Sequence, residues 1–214
     1  MASRRRVLVA DDHNLIAELC KCLLEKDFDV VGVVGDGLAL VKAAGELKPD
    51  VIVLDIAMPA LNGLEAGRRV KILLPTVKLV YLTMNSDSDV AAEAFTNGAS
   101  GYLLKTCAAE ELVLAVREVL RGNAYLSKEM SLDTINALRW QHKQRVGVDV
   151  RLTDRQVDVL QLLAEGKVMK EVGSLLKMSK RTVAYHKYRI MEVLGFKSTA
   201  DLVKYAVRNH MVAA

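Results

Sequence analysis

Five polar residues stand directly after short apolar runs of the 214-residue chain. Asp11 and Asp12 follow the first run, Asp55 the third, Thr83 the fourth and Lys105 the fifth. Crowded carboxylates repel one another unless a cation neutralises them. An oxygen-only ligand set favours Mg²⁺, which typically binds beside a phosphate group, and a lysine with a hydroxyl opposite the metal would hold phosphoryl oxygens. These residue types predict phosphoryl chemistry, in which Asp55 suits the nucleophile and the other two acids suit metal binding.

Each of these residues has a simpler interpretation when it is taken singly. An acid after a strand usually forms a loop or caps the next helix. The five are explained together only if one fold brings the ends of their runs to the same edge of a sheet.

The apolar pattern of the first half predicts such a fold. Five runs are continuous rather than alternating, as strands buried on both faces require; they cover residues 6–10, 29–33, 51–54, 78–82 and 101–104. Amphipathic helical stretches lie between them, and Gly98 and Gly122 stand where helices are expected to end. The repeat predicts an α/β flavodoxin-like domain with a five-stranded parallel sheet. Ligands bind at the carboxyl ends of such strands, where the five polar residues would meet.

Composition excludes several classes of protein. With 51% hydrophobic and 26% charged residues, the chain has enough apolar side chains for a packed core. Its apolar runs of about four residues are far shorter than the roughly 18 of a membrane-spanning helix, so we expect a soluble, cytoplasmic protein. Three cysteines are too few for a disulfide framework. We expect Cys20 and Cys22 to be buried with Leu15 and Leu19 in the first helix, and Cys107 to be exposed.

Neighbouring residues carry a family resemblance. Met58-Pro59 and Gly63 follow Asp55, and Tyr102 precedes Lys105. Together with the acids and the threonine, this pattern resembles the receiver (CheY-like) domain of two-component response regulators, and we assign it to residues 5–121.

The resemblance implies a role for each residue of the site. Asp55 would accept a phosphoryl group from a sensor histidine kinase. Four groups would hold Mg²⁺: the carboxylates of Asp11, Asp12 and Asp55 and the backbone carbonyl of Ala57. Thr83 and Lys105 would contact the phosphoryl group, and Thr83 with Tyr102 would form the switch that responds to it.

The second half differs in charge and in pattern. Residues 1–125 carry 14 Lys/Arg and 17 Asp/Glu, a net charge of −3, whereas residues 151–214 carry 12 and 6, a net charge of +6. A small basic domain points to nucleic acid as its partner, although a basic face can also be merely solvated. Residues 122–148 predict a helical linker, and residues 149–214 predict an all-α domain of four short helices.

Capping residues mark these helices. Thr153 opens a capping box at the first, Ser179 and Ser198 can cap the third and fourth, and Val168 and Leu175 are expected on the inner face of the second. A helix, a tight turn and a basic third helix form the helix-turn-helix pattern. The third helix supplies the predicted DNA contacts: Lys180, Arg181, Thr182, Ala184, Tyr185, His186, Lys187 and Tyr188.

Matching motifs run through residues 152–208. They include Leu152-Thr153, Val159-Leu160, Leu163-Ala164, Thr182-Val183 and Leu194-Gly195. The segment closely resembles the LuxR-type helix-turn-helix domain of the FixJ/NarL regulators, which implies double-stranded DNA as its partner. Ala184 and Val193 replace lysines of the family, which removes two positive charges from the third helix.

The sequence therefore predicts a two-component response regulator and not an enzyme. Phosphorylation of Asp55 would control homodimerisation and sequence-specific DNA binding. Two alternatives stay open at this point. A haloacid-dehalogenase-type phosphatase would need a second acid two residues after the nucleophile, where Ala57 stands. The other is a regulator that works without phosphorylation, or a receiver that acts only through protein contacts; the intact set of acids favours phosphorylation, while Ala184 and Val193 leave room for weak DNA binding.

Overall fold

The computed structural model of the protein describes residues 4–84, 86–130 and 152–212. These residues belong to two compact units, the first built around a sheet and the second around helices. No helix within these ranges is both long enough and apolar enough to cross a membrane.

The apolar runs of the first unit form parallel strands, as predicted. The strands are β1 (Arg6–Ala10), β2 (Asp29–Val34), β3 (Val51–Leu54), β4 (Lys78–Thr83), β5 (Gly101–Leu104) and β6 (Tyr125–Leu126). They lie in the order β2-β1-β3-β4-β5-β6, and each neighbouring pair is parallel. The predicted flavodoxin-like sheet is confirmed, with one strand more than expected.

Helices alternate with these strands. They are α1 (Asn14–Leu24), α2 (Gly37–Leu47), α3 (Gly63–Leu73), α4 (Ser88–Thr96) and α5 (Ala108–Leu120), with a 3₁₀ turn at Lys105–Cys107. Alternate residues of the central strands pack with α1 and α5 in one buried cluster, for example Val7 and Val9 of β1 with Leu24 and Leu112. Burial on both faces explains why the strand sequences are continuously apolar.

The predicted inner face of α1 was wrong at three positions and right at Cys20, which is completely buried. Leu15 is 82% exposed and Leu19 40% exposed, and Cys22 is also exposed. With Cys20, the helix buries Ala17 and Leu24. Apolar residues occur on more than one face of this helix, so its periodicity could not identify the face that meets the sheet.

The sixth strand and the residue after it attach the chain to β5. The amide of Ser127 donates to the carbonyl of Tyr102 at 3.0 Å, and its hydroxyl accepts from the amide of Leu104 at 3.0 Å. The same hydroxyl donates to Oε2 of Glu111 in α5 at 3.0 Å. The predicted linker 122–148 thus begins with residues of the sheet, and its part from residue 131 onward lies outside the described residues.

The second unit contains the four predicted helices. They are α6 (Asp154–Ala164), α7 (Met169–Leu175), α8 (Lys180–Val193) and α9 (Thr199–Arg208). The side chains of Thr153, Ser179 and Ser198 accept hydrogen bonds from amides in the first turns of α6, α8 and α9, as their positions predicted. The all-α helix-turn-helix arrangement is confirmed.

The turn between α7 and α8 requires a close backbone approach. A Cβ at Gly173 would lie 2.6 Å from the carbonyl oxygen of Met178, so a side chain at this position would displace the turn. The predicted inward positions of Val168 and Leu175 were wrong, since they are 62% and 54% exposed. Val172 and Leu176 supply the buried contacts of this helix instead.

Candidate functional sites

The register of the sheet brings the predicted acids together. The amide of Asp55 donates to the carbonyl of Ala10 at 2.8 Å, which places Asp55 beside the start of the loop at Asp11. Thr83, at the end of β4, pairs with Leu104, the residue before Lys105. These side chains therefore emerge at one carboxyl edge of a parallel sheet, where ligands of such folds bind.

Lys105 bridges two of the acids. Its Nζ donates to Oδ2 of Asp55 at 2.8 Å and lies 2.8 Å from Oδ2 of Asp11. The side chains are almost inaccessible, with 5% of Lys105 and 3% of each carboxylate exposed. Charges at this depth lose their hydration and need close partners. Lys105 thus compensates part of the negative charge at the strand ends.

The pKa of Lys105 is raised above its ordinary value. Burial alone would lower it, because desolvation disfavours the ammonium ion. The carboxylates of Asp11 and Asp55 act in the opposite direction and outweigh burial. Lys105 is therefore a positive charge at neutral pH.

A cluster of possible metal ligands surrounds the same edge. One ligand atom from each of Asp11, Asp12, His13 and Asp55 lies within 4.8 Å of the others. Oδ2 of Asp11 is buried and has the ammonium of Lys105 at 2.8 Å as its partner, and the same ammonium also serves Asp55. One lysine does not neutralise three neighbouring carboxylates, and a bound cation would compensate the remaining negative charge. The donor set therefore fits a divalent ion.

The two predicted switch residues are both buried. Thr83 is 2% exposed and Tyr102 is completely inaccessible. Burial raises the pKa of Tyr102, and the negative charges of Asp87 and Asp55 raise it further. The phenol is therefore protonated at neutral pH, and its ionisation responds to the charge on Asp55.

A glycine shapes the loop that follows Asp55. A Cβ at Gly63 would lie 1.9 Å from the carbonyl oxygen of Asp55, and the amide of Gly63 donates to the carbonyl of Ile56 at 2.8 Å. Only a residue without a side chain permits this return of the backbone. Ala57 lies within the loop and is exposed; the role of its carbonyl as a ligand stays a prediction.

Helix α8 carries the predicted DNA contacts on its outer side. Val183 and Ile190 are completely buried and hold the helix in its unit. Tyr185 and Tyr188, in contrast, are 62% and 64% exposed. With the exposed Arg181 they occupy successive turns of one face, which is the spacing needed to follow a groove.

Other predicted contact residues of α8 are placed differently. Ala184, His186 and Lys187 are half-buried, whereas Lys180 and Thr182 are exposed near the start of the helix. The Nζ of Lys187 donates to the hydroxyl of Thr199 at 2.8 Å, which joins α8 to the first turn of α9. Lys187 thus has a structural contact that its sequence position did not predict.

Each of the two units matches a known protein family. Residues 7–117 match the response regulator receiver domain, and residues 150–206 match the luxR family of bacterial regulatory proteins. The chain belongs to the two-component response regulators that join a receiver domain to a LuxR-type DNA-binding domain. This is a family of transcription regulators rather than enzymes, which removes the phosphatase alternative.

Two of the relatives described here match nearly the whole chain, and a third matches two thirds of it. The oxygen regulatory protein NreC of Staphylococcus aureus (strain JH9) is 32% identical, over 97% of this chain and 99% of its own length. RcsB of Salmonella enterica serovar Typhimurium, solved bound to a promoter in the presence of the phosphomimetic BeF₃⁻, is 25% identical with a TM-score of 0.55, over 95% and 98% of the two chains. A LuxR-family regulator from Aurantimonas sp. SI85-9A1 is 28% identical with a TM-score of 0.58, over 67% of this chain and 100% of its own.

Two features of the receiver were missed by sequence reasoning. His13 was not among the predicted metal ligands, although its place directly after two aspartates was a usable signal. The buried pair of Ser127 and Glu111 had no such signal, because the two residues are separated in sequence and meet only through the pairing of β6 with β5.

Proposed function

We propose that this response regulator is controlled by phosphorylation of Asp55, which promotes homodimerisation and sequence-specific binding to double-stranded DNA. The phosphoryl donor is a sensor histidine kinase. The proposal rests above all on one observation, the 2.8 Å contact between Oδ2 of Asp55 and the Nζ of Lys105 at the carboxyl edge of the sheet. It gives a buried nucleophile and a neighbouring positive charge.

The chemistry at Asp55 is substitution at phosphorus. A carboxylate oxygen of Asp55 attacks the phosphorus of the kinase phosphohistidine, an O–P bond forms, and the P–N bond breaks as histidine leaves. Lys105 pairs with the phosphoryl oxygens as negative charge develops on them, and the hydroxyl of Thr83 donates a hydrogen bond to one of them.

The ligands proposed for Mg²⁺ are the carboxylates of Asp11, Asp12 and Asp55 and the carbonyl of Ala57. The three carboxylates of this set are supported by their clustering, with one ligand atom from each within 4.8 Å of the others. A bound Mg²⁺ would neutralise the clustered carboxylates and the incoming phosphoryl oxygens. Asp12, whose side chain is 32% exposed, leaves an approach to the pocket from solvent.

Thr83 and Tyr102 transmit the modification. A phosphoryl group adds about −1.5 to −2 charges and three acceptor oxygens at Asp55. Thr83 moves towards these oxygens, and the buried Tyr102, whose pKa already responds to the Asp55 charge, repacks with it. Such a change biases a two-state element of the receiver surface.

The DNA-binding part of the proposal uses α8. Its eight predicted contact residues, Lys180–Thr182 and Ala184–Tyr188, would contact phosphates and base edges in the major groove. Two copies of the domain would bind half-sites about one helical turn apart, so dimerisation raises affinity through effective concentration. We place the receiver at 5–121, the linker at 122–148 and the DNA-binding domain at 149–214, and we place the protein in the cytoplasm.

The test compares the wild type with Asp55→Asn after incubation with acetyl phosphate and Mg²⁺. Asp29→Asn is a matched control, because Asp29 is an exposed aspartate at the start of an edge strand. Intact mass should show one phosphoryl adduct in the wild type and in Asp29→Asn, and none in Asp55→Asn. Sizing chromatography should show a shift to dimer only in the two proteins that carry the adduct.

A different set of results would favour regulation without phosphorylation. An unmodified wild type, or a modified one whose oligomeric state and DNA affinity do not change, contradicts the proposal. DNA affinity is measured by fluorescence anisotropy on fragments obtained by selection from random duplexes, so that no operator needs to be known beforehand.

A further inference from the structure

We propose that His13 supplies a nitrogen ligand to the divalent ion of the acidic pocket, and that the pocket therefore favours Mn²⁺ and related transition ions over Mg²⁺. The inference rests on the proposed function, since it concerns the ion that would support phosphorylation of Asp55. It adds a ligand and a metal preference that the carboxylates alone do not supply.

The geometry places the imidazole at the pocket. The Nδ1 of His13 lies 2.9 Å from Oδ1 of Asp12 and 3.4 Å from Oδ1 of Asp11. Ligand atoms from these three residues and from Asp55 lie within 4.8 Å of one another. Metal–ligand bonds of about 2.0–2.3 Å place opposite ligands about 4.0–4.6 Å apart. Small side-chain adjustments therefore allow one ion to contact all four residues.

The backbone fixes the position of His13. Its amide donates to Oδ1 of Asp11 at 2.9 Å, and its carbonyl accepts from the amides of Ile16 and Ala17 at 2.9 and 3.0 Å in the first turn of α1. The ring itself is 65% exposed, so it can exchange water for a metal ion without opening the core. The histidine is thus held at the rim with its Nδ1 directed at the carboxylates.

His13 and Lys105 act on different oxygens of Asp11. The histidine faces Oδ1, whereas the lysine lies 2.8 Å from Oδ2. An ion bound on the histidine side leaves the lysine side of Asp55 free for phosphoryl oxygens. The metal ion and the ammonium of Lys105 would therefore occupy separate positions and not compete.

Donor chemistry sets the metal preference. Carboxylate oxygens suit Mg²⁺ and Mn²⁺ alike, whereas an imidazole nitrogen suits first-row transition ions and adds little for Mg²⁺. Three carboxylates with one imidazole thus favour Mn²⁺ among oxygen-preferring ions. Replacing the imidazole should lower the affinity for Mn²⁺ and leave the affinity for Mg²⁺ unchanged.

The experiment uses the full-length protein with Mn²⁺ as the probe. Electron spin-echo envelope modulation of the wild-type complex should show coupling to ¹⁴N, and the coupling should change to that of ¹⁵N when only the histidines carry ¹⁵N. The coupling should be lost in His13→Phe and kept in the matched control His210→Asn, which removes a histidine from the other unit. Calorimetric titration should show affinity for Mn²⁺ about tenfold lower in His13→Phe.

The wild-type spectrum decides the matter even if a variant folds poorly. Bound Mn²⁺ without nitrogen coupling, or an equal loss of Mn²⁺ and Mg²⁺ affinity in His13→Phe, would overturn the role of His13 while phosphorylation of Asp55 with Mg²⁺ still stands. Binding of neither ion at the Asp11 and Asp55 pocket would overturn this inference together with the metal part of the proposed function.

Discussion

Neighbouring cysteines of α1 lie in opposite environments. Cys20 is completely buried in the cluster of β1, β3 and α5, whereas Cys22, two positions later, is exposed. The pKa of the Cys20 thiol is raised from 9.0 to about 12, mainly by burial and also by the charge of Asp11, while Lys105 acts in the opposite direction. The ionisation of Cys20 therefore depends both on the packing of the core and on the charges of Asp11 and Lys105 beside Asp55.

This pKa predicts an alkaline loss of stability. Above pH 9.0 the unfolded chain releases the Cys20 proton while the folded chain keeps it until about pH 12. Since the folded state then binds more protons, the free energy of unfolding falls with rising pH, by at most about 1.4 kcal/mol per unit. Cys20→Ala removes this contribution. In urea unfolding, the difference in free energy of unfolding between the wild type and Cys20→Ala should therefore be smaller at pH 10 than at pH 8. Cys22→Ala should show a constant gap, and a constant gap for Cys20→Ala would contradict the prediction.

Strand β6 and the residue after it hold the end of the receiver domain against β5 and α5. Two residues of pairing would contribute little alone, but Ser127 directly after them joins the backbone of β5 to Glu111 of α5. Ser127 is completely buried and Glu111 is 5% exposed. The Ser127 hydroxyl therefore links the backbone of β5 to a buried carboxylate, which Tyr125 of β6 also contacts.

Ser127→Ala should destabilise the receiver domain. It leaves the amide of Leu104 and a buried carboxylate oxygen without their hydroxyl partner, which costs about 1–3 kcal/mol. The measurement is the receiver transition in urea at pH 7, and Ser86→Ala, at an exposed serine of the same unit, is the control. A loss no larger than that of the control would show that the Ser127 hydroxyl contributes nothing to stability.

The whole molecule separates its charges by domain. The net charge is −3 over residues 1–125 and +6 over residues 151–214. The second unit is therefore the part of the chain that attracts a polyanion such as DNA. Within that unit the exposed face of α8 combines Arg181 with two tyrosines. Phosphate contacts by cations give affinity that falls with salt, whereas contacts by tyrosines to base edges depend on sequence.

Arg181→Ala should reduce the salt dependence of DNA binding. Loss of one phosphate contact lowers the slope of log affinity against log salt by about 1 and weakens different duplexes to a similar degree. Arg208→Ala is the matched control, because Arg208 is an exposed arginine in the last turn of α9. Anisotropy titrations over a range of salt concentrations measure both variants. An unchanged slope in Arg181→Ala would remove this residue from the DNA contact surface.

The sequence by itself determined the parallel sheet, the four helices of the second unit, three of them with N-cap side chains, and the five polar residues at strand ends. Buried strands must be apolar along their length, and helix ends must have hydrogen-bond partners, so both leave a local signal. Residues such as Asp55 and Lys105 could be placed at one edge because parallel strands all end there.

Only the tertiary structure decided which of two apolar faces of α1 meets the sheet, because the helix carries apolar residues at both Leu15 and Cys20. The same holds for β6, since a two-residue strand has no periodicity and forms through its register with Gly101 and Tyr102. It holds also for His13, whose part in the acidic cluster depends on the turn of the chain into α1. In each case the deciding contact joins residues whose local pattern allows more than one arrangement.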